Sequence, residues 1–341
     1  QLATTLKATN HLGLFSEQYD FNNNQMLGNF PQAFSHIGYI NAVSAILNAR
    51  KKKHKKKIRA PLLNRVQKLI PFRVVLNKSD LKRTETDNNI AAQLKKSLNN
   101  LQGVFFDVEA GHVNYDAMKK SASYKKYLAL VGQLKHFDPF SLKTDDEKKA
   151  FWINIYNILI IHGVIDLNIK NSVQEVFNFF GRISYTIGGL YFSPDDIEHG
   201  ILRGNKPHPL AHTRQFSTFD RRRVLCLKRP DHRIHFALVC ASNSCPPIEF
   251  YDRKNIDMQL HLAGRSFMNR RGFVLDKRNN ILYLSQIFKW YELDFGKNKN
   301  EILTSVMHYM GSEAAEYMYK HLKDLKIKYL PYDWNLNRTM K

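Results

Sequence analysis

The chain has 341 residues, 43% hydrophobic and 24% charged, with a formal net charge of +22. That length suits about two domains, and that composition excludes whole-chain disorder. No apolar run reaches the ~18–20 residues of a membrane span, and the three cysteines, Cys226, Cys240 and Cys245, are too few for a disulfide-stapled scaffold, so a reduced, cytoplasmic setting is expected.

The first predicted elements lie between Leu2 and Ala49. Asn22-Asn-Asn24 reads as a turn. A helix is predicted from Asn29, with Pro31 in its first turn and Phe30, Phe34, Ile37, Ile40 and Val43 at helical spacing. Two helices do not close a core, so this segment is expected to dock elsewhere or to end a larger domain. The start at Gln1, without a signal-peptide pattern, likewise reads as processing or as a piece of a longer protein.

Basic residues follow. From Phe21 to Ser79 there are 12 Lys and Arg and no acidic residue. The run Arg50 to Arg59 is dense enough to repel itself and is read as an exposed linker. The alternatives are a solvated linker without a partner and a weak, salt-sensitive contact to a polyanion. Pro61 to Pro71 resembles a basic amphipathic helix, and Arg73 to Asn89 is read as a loop. The expected organisation is residues 1–49, a basic linker over 50–88, and a main domain over 89–341.

In the main domain a helix is predicted over Ile90 to Leu101 with Gly103 as its stop, then a turn at Gly111 into a helix ending near Leu134. Thr144-Asp-Asp-Glu147 is a capping box for a helix from Asp145 to about Ile165. That helix is apolar around most of its surface and should be central and buried. Ile183 to Phe192 reads as a hairpin around Gly188-Gly189, and Ser193-Pro-Asp-Asp196 starts a helix ending at Gly204. His235 to Cys240 is predicted as a short strand and Asn255 to Asn269 as a helix. A hairpin is predicted over Phe273 to Ser285, with helices over Ile287 to Tyr291 and Glu301 to Leu325. Mixed short strands and longer helices without regular alternation give an α+β fold.

Three polar clusters carry candidate chemistry. Asn154 and Asn157 share a face of the buried helix, where they either tie loops to it or orient a substrate. Asp195, His199 and Arg203 follow at i, i+4 and i+8, with Glu198 on the neighbouring stripe. A carboxylate one turn from a histidine supports a general base, and a solvated charged face is the alternative. Cys240 stands before the turn Ala241-Ser-Asn-Ser-Cys-Pro-Pro247, a place for a nucleophile if a base such as His199 or His235 adjoins it, and otherwise for a small buried hydrophobe. The C-x4-C spacing of Cys240 and Cys245 is that of neither a redox pair nor a zinc knuckle, so no metal and no cofactor is expected.

Phe151-Trp-Ile-Asn-Ile-Tyr-Asn157, Asp196-Ile-Glu-His-Gly-Ile-Leu-Arg203, His235-Phe-Ala-Leu-Val-Cys-Ala-Ser242 and Leu284-Ser-Gln-Ile-Phe-Lys-Trp-Tyr291 resemble the domain of unknown function 547, over about Asn89 to Tyr319. The resemblance implies a His at His199 and a Cys at Cys240. These are the parts of a thiol hydrolase, though in the reverse order from papain-like enzymes. Gly13 to Asp20 and Leu27-Gly-Asn-Phe-Pro-Gln-Ala-Phe-Ser-His36 are similar to the C-terminal end of glycoside hydrolase family 15. That resemblance implies a two-helix remnant of a barrel of paired helices, with Glu17 as the general base of an inverting mechanism whose acid partner would lie upstream. The expected whole is a fusion in which the main domain is a cysteine-dependent hydrolase or transferase acting on a small-molecule, peptide or carbohydrate substrate. The alternative is a non-catalytic interaction module.

Overall fold

The computed structural model describes residues 18–20, 22, 23, 25–27, 73–78, 90–209 and 212–339. The chain divides into two units, Gln1–Ile70 and Pro71–Lys341. In the first unit the described residues form a hairpin of β1 (Gln18–Asp20) and β2 (Gln25–Leu27). The Asp20 carboxylate accepts the backbone N–H groups of Asn22 and Asn23 at 2.8 and 3.3 Å, which makes the turn the asparagines predict. The helix expected from Asn29, the basic run Arg50 to Arg59 and Glu17 lie outside the described residues.

The second unit mixes helices with small sheets and is α+β. Its centre is the helix Asp145–Asp166, in which all residues from Lys148 to Ile165 except Asn154 are buried. The capping box forms as the sequence implies: Glu147 N–H donates to the Thr144 hydroxyl at 3.1 Å, and the Glu147 carboxylate accepts from Thr144 N–H at 3.2 Å. Around it pack the helices Ile90–Phe105, Tyr115–Lys120 and Ala122–Gln133 and a three-stranded sheet. In that sheet β3 (Val74–Val75) runs parallel to β6 (Ile183–Ile187), and β6 is antiparallel to β7 (Leu190–Phe192). Gly188 and Gly189 at φ 55° and 76° make the tight turn between β6 and β7 that a side chain would strain. Between the helices, β4 (Phe106–Asp107) and β5 (His112–Val113) form a small hairpin.

A second core lies on the sheet of β8 (Phe273–Asp276), β9 (Ile281–Leu284) and β10 (Lys326–Tyr329). The helices Ile256–Phe267, Gln286–Trp290, Lys299–Met307 and Ser312–Lys320 complete it. Among the described residues no helix is long and apolar enough to cross a membrane.

Several local expectations differ from the structure. Arg73 to Lys78 is not simply loop, because Val74 and Val75 pair with β6. Gly103 does not stop its helix, which runs on to Phe105. The helix expected to end near Leu134 is broken at Ser121, whose hydroxyl caps a new helix by accepting from Tyr124 N–H at 3.0 Å. Glu301 to Leu325 is two helices separated around Gly311. His235 to Cys240 is no strand. It begins within the 3-10 turn His232–Phe236, and its backbone bonds the central helix rather than a sheet.

Candidate functional site

The site begins with a helical stretch of unusual register. Ser193 caps it, accepting from Asp196 N–H at 3.1 Å while the Asp196 carboxylate accepts from Ser193 N–H at 3.0 Å. From Asp196 to Leu202 the backbone is a π-helix: Arg203 N–H bonds Glu198 C=O at 2.8 Å, five residues back. Such turns recur at functional sites. This one buries Glu198, His199 and Arg203 together, at 7%, 3% and 4% exposure.

The buried charges are met in pairs. Glu198 accepts from the Tyr156 hydroxyl at 3.1 Å and also from Tyr291. His235 stacks on the Tyr291 ring at 3.8 Å between centroids, with its Nδ1 4.0 Å from Glu198. Asp294 gathers Arg203 Nε at 2.6 Å, Lys206 Nζ at 2.8 Å and His235 Nε2 at 2.9 Å. The π-helix belongs to the first core and Asp294 adjoins Phe295 of the second, so the cluster sits at the seam of the two cores. Burial raises the carboxyl of Glu198, but His199, His235, Tyr291 and Arg203 outweigh it and hold Glu198 below the usual range.

Protonation states follow from donor chemistry. A guanidinium only donates, so Arg203 Nη1 at 3.1 Å makes His199 Nδ1 an acceptor and puts the ring proton on Nε2. Burial lowers His199 to about 4, so the ring is neutral at pH 7. Burial, with Glu198 and Asp196 nearby, raises Asp195 to about 7. His199 Nε2 and Asp195 Oδ1 are 3.9 Å apart, beyond a hydrogen bond, and one substrate oxygen can lie within ~3 Å of both. The polarity differs from the expectation of a histidine base held by a carboxylate. Here the carboxyl titrates near neutrality and the histidine is a neutral donor.

Asp195, His199 and His208 bring ligand atoms within 4.8 Å of one another, the arrangement a metal ion would need. The donor set does not fit. An ion on Nε2 would require that nitrogen stripped of its proton while Nδ1 still accepts from Arg203, a state that neutral imidazole cannot supply.

Cys240 is disulfide-bonded to Cys245, a pairing for which the C-x4-C spacing gave no sign. As it stands, that bond occupies the sulfur expected as a free nucleophile. The Tyr332 hydroxyl touches Cys240 Sγ at 3.0 Å, and burial and the charge of Glu198 push Tyr332 up to about 12. Tyr332 therefore links the sulfur pair to the field of the ionisable cluster. Among the described residues no hydrogen bond or ion pair joins Cys240 to His199.

Asn154 and Asn157 bond backbone. Asn154 holds the backbone C=O and N–H of Tyr251, at 2.9 and 2.7 Å. Asn157 donates to Ala237 C=O at 2.9 Å and accepts from Val239 N–H at 3.1 Å, which positions the segment joining His235 to Cys240. Tyr156, Asp294 and Tyr332 escaped the sequence reading. Tyr156 had a signal, as the polar-tipped residue between the two asparagines. Asp294 and Tyr332 had none. A cleft of about 490 Å³ lined by Asp145, Lys149, Asp231, His232 and Tyr309 opens at the start of the central helix and holds none of the residues above. Its Asp231 pairs with Lys149 at 3.8 Å and with Arg233 at 2.7 Å.

The fold and cluster define an α+β domain with a buried cluster of ionisable side chains and, in a separate loop, a disulfide-bonded cysteine pair. Residues 140–268 match the family described as "Protein of unknown function, DUF547", and residues 2–44 match "Glycosyl hydrolases family 15". A trehalase of Thermoplasma volcanium is 44% identical over 55 residues, 16% of this chain and 9% of that protein. A trehalase of Thermoplasma acidophilum is 51% identical over 39 residues, 11% of this chain and 7% of that protein. The chain thus spans less than a tenth of these relatives. No solved structure matches it.

Proposed function

We propose that the unit Pro71–Lys341 is a hydrolase or transferase in which Cys240, once reduced, is the nucleophile, acting on a small-molecule, peptide or carbohydrate substrate. Asp195 accepts and returns the proton, and His199 donates a hydrogen bond from Nε2 to the reacting oxygen. Arg203 holds the histidine in that tautomer, Glu198 is anchored beside it by Tyr156 and Tyr291, and Asn157 positions the Cys240 segment. The observation that carries the reading is Asp195, raised to about 7 by burial beside a neutral His199, because an acid–base group works best near the ambient pH. An interaction module needs no such poise. For the parent protein, the likeness of the first segment to trehalases supports carbohydrate hydrolysis with Glu17 as a general base.

The test is iodoacetamide labelling of the reduced chain from pH 5 to 9, read by mass spectrometry. Cys240 is expected to label faster than Cys226, whose thiol burial pushes up. Asp195→Asn should shift the pH dependence at Cys240 and leave Cys226 alone. Equal rates at the two cysteines would sink the reading.

A further inference from the structure

We infer that Cys240–Cys245 is a thiol–disulfide exchange site, with Cys240 the sulfur that is attacked and Cys245 the sulfur that leaves. The two are unequal in access: Cys245 is 4% exposed, whereas Cys240 is half-buried. They are also unequal in their surroundings. Cys245 Sγ accepts the backbone N–H of Cys240 at 2.8 Å and the Ser242 hydroxyl at 3.4 Å, and the Tyr332 hydroxyl lies 3.5 Å away. Stacked contacts fix that tyrosine, whose ring packs on Trp290 and Trp334 at 4.8 Å each. The two hydroxyls lie nearer Cys240 Sγ, at 3.1 and 3.0 Å, and are shared by the pair, so the backbone N–H is the donor particular to Cys245. That donor stabilises the buried sulfur as a thiolate, and a more stable leaving thiolate departs faster.

The loop does not depend on the bond. Asn337 N–H donates to Ala241 C=O at 3.0 Å, and Asn243 N–H to Asn335 C=O at 2.9 Å. Ser242 also bridges to Leu336. A bond closing so short a loop constrains the unfolded chain least, which makes a structural staple a poor account of it.

The reaction balances with an external thiol as reductant. A thiolate attacks Cys240 Sγ and forms a mixed disulfide as the Cys240–Cys245 bond breaks, and the electron pair leaves on Cys245. A second thiolate attacks the sulfur of the first thiol, releasing Cys240 as thiolate. Two thiols are oxidised to one disulfide, and the protein pair takes up their two electrons. The inference deepens the proposal that Cys240 is the reacting sulfur, by stating how that sulfur is released.

The test exposes the oxidised full chain to reduced glutathione, quenches with N-ethylmaleimide and maps adducts by mass spectrometry, with Cys226 as internal control. The glutathionyl adduct is expected on Cys240 and maleimide on Cys245. Cys245→Ser, which has no disulfide to open, should take glutathione onto Cys240 from oxidised glutathione with release of one reduced glutathione, and should retain it because no Cys245 thiol is there to displace it. Ser242→Ala and Tyr332→Phe should slow opening by about 3- to 10-fold. An adduct mainly on Cys245 overturns the inference, as does maleimide on both cysteines before any thiol is added, or opening at the wild-type rate in both donor variants. Iodoacetamide labelling of the already reduced chain reads the acid–base proposal separately. A Cys240 adduct with slow alkylation sinks only that proposal, and fast alkylation without the adduct sinks only the exchange.

Discussion

Arg203 donates Nη1 to His199 Nδ1 at 3.1 Å and, through Nε and Nη2, holds Asp294 at 2.6 and 3.3 Å. One guanidinium therefore sets the tautomer of the histidine and neutralises the carboxylate of the second core. Arg203→Met leaves Asp294 with Lys206 and His235 only. The expected loss is about 3–5 kcal/mol, the range for breaking one side of a buried pair, measured by urea denaturation. Arg203→Lys should recover part of it, because a lysine keeps the charge without the fork. A loss below ~1 kcal/mol in the methionine variant would contradict the pairing.

Asp195 and His199 pull stability in opposite directions with pH. Asp195 has its carboxyl raised from 3.8 to about 7, so the folded chain binds the extra proton between those values and stability falls as pH rises across them. His199 is lowered from 6.5 to about 4, so the unfolded chain binds the extra proton and stability rises over that window. Asp195→Asn removes the fall. The variant should gain stability relative to wild type between pH 4 and 7, on the order of 4 kcal/mol at most, at 1.36 kcal/mol per unit. His199→Gln should show the opposite trend from pH 4 to 6.5. Urea midpoints across this range, flat in the difference between variant and wild type, would contradict both assignments.

Gly200 faces the buried ring of Phe216 so closely that a Cβ would collide with it. Gly200→Ala should cost about 1–3 kcal/mol by forcing the ring aside. Adding Phe216→Leu should return part of that loss in a thermal melt. A double variant no more stable than the single one would place the strain in the π-helix backbone.

Asn157 satisfies Ala237 C=O and Val239 N–H at full burial. Asn157→Ala strands both groups, at about 1–3 kcal/mol each. Amide hydrogen exchange should quicken locally over residues 237–240, ahead of the central helix. Unchanged exchange there would show that other contacts hold the segment.

The run Arg50 to Arg59 is proposed as the salt-sensitive contact to polyanions. Replacing its lysines by Gln should flatten the dependence of heparin retention on salt. An unchanged slope would move the basic footprint to another part of the chain.

What the sequence by itself determined was local. The Thr144 capping box, the all-round apolar helix behind it, the Gly188-Gly189 hairpin and the Asp20 turn are written in neighbouring residues, because each is closed by hydrogen bonds or periodicity within a few positions. The helical stripe Asp195, His199, Arg203 was legible for the same reason.

Its chemistry was not. Whether His199 is base or donor depends on Arg203 Nη1 and on burial, and whether Arg203 stays in place depends on Asp294, 91 residues away. The fate of Cys240 turned on a loop that folds back against Leu336 and Tyr332, and the strand expected before it gave way because Asn157 claims its backbone. Spacing fixes which side chains share a face, but the protonation of a buried group is decided by desolvation and by charges that only the packing of the two cores brings within reach.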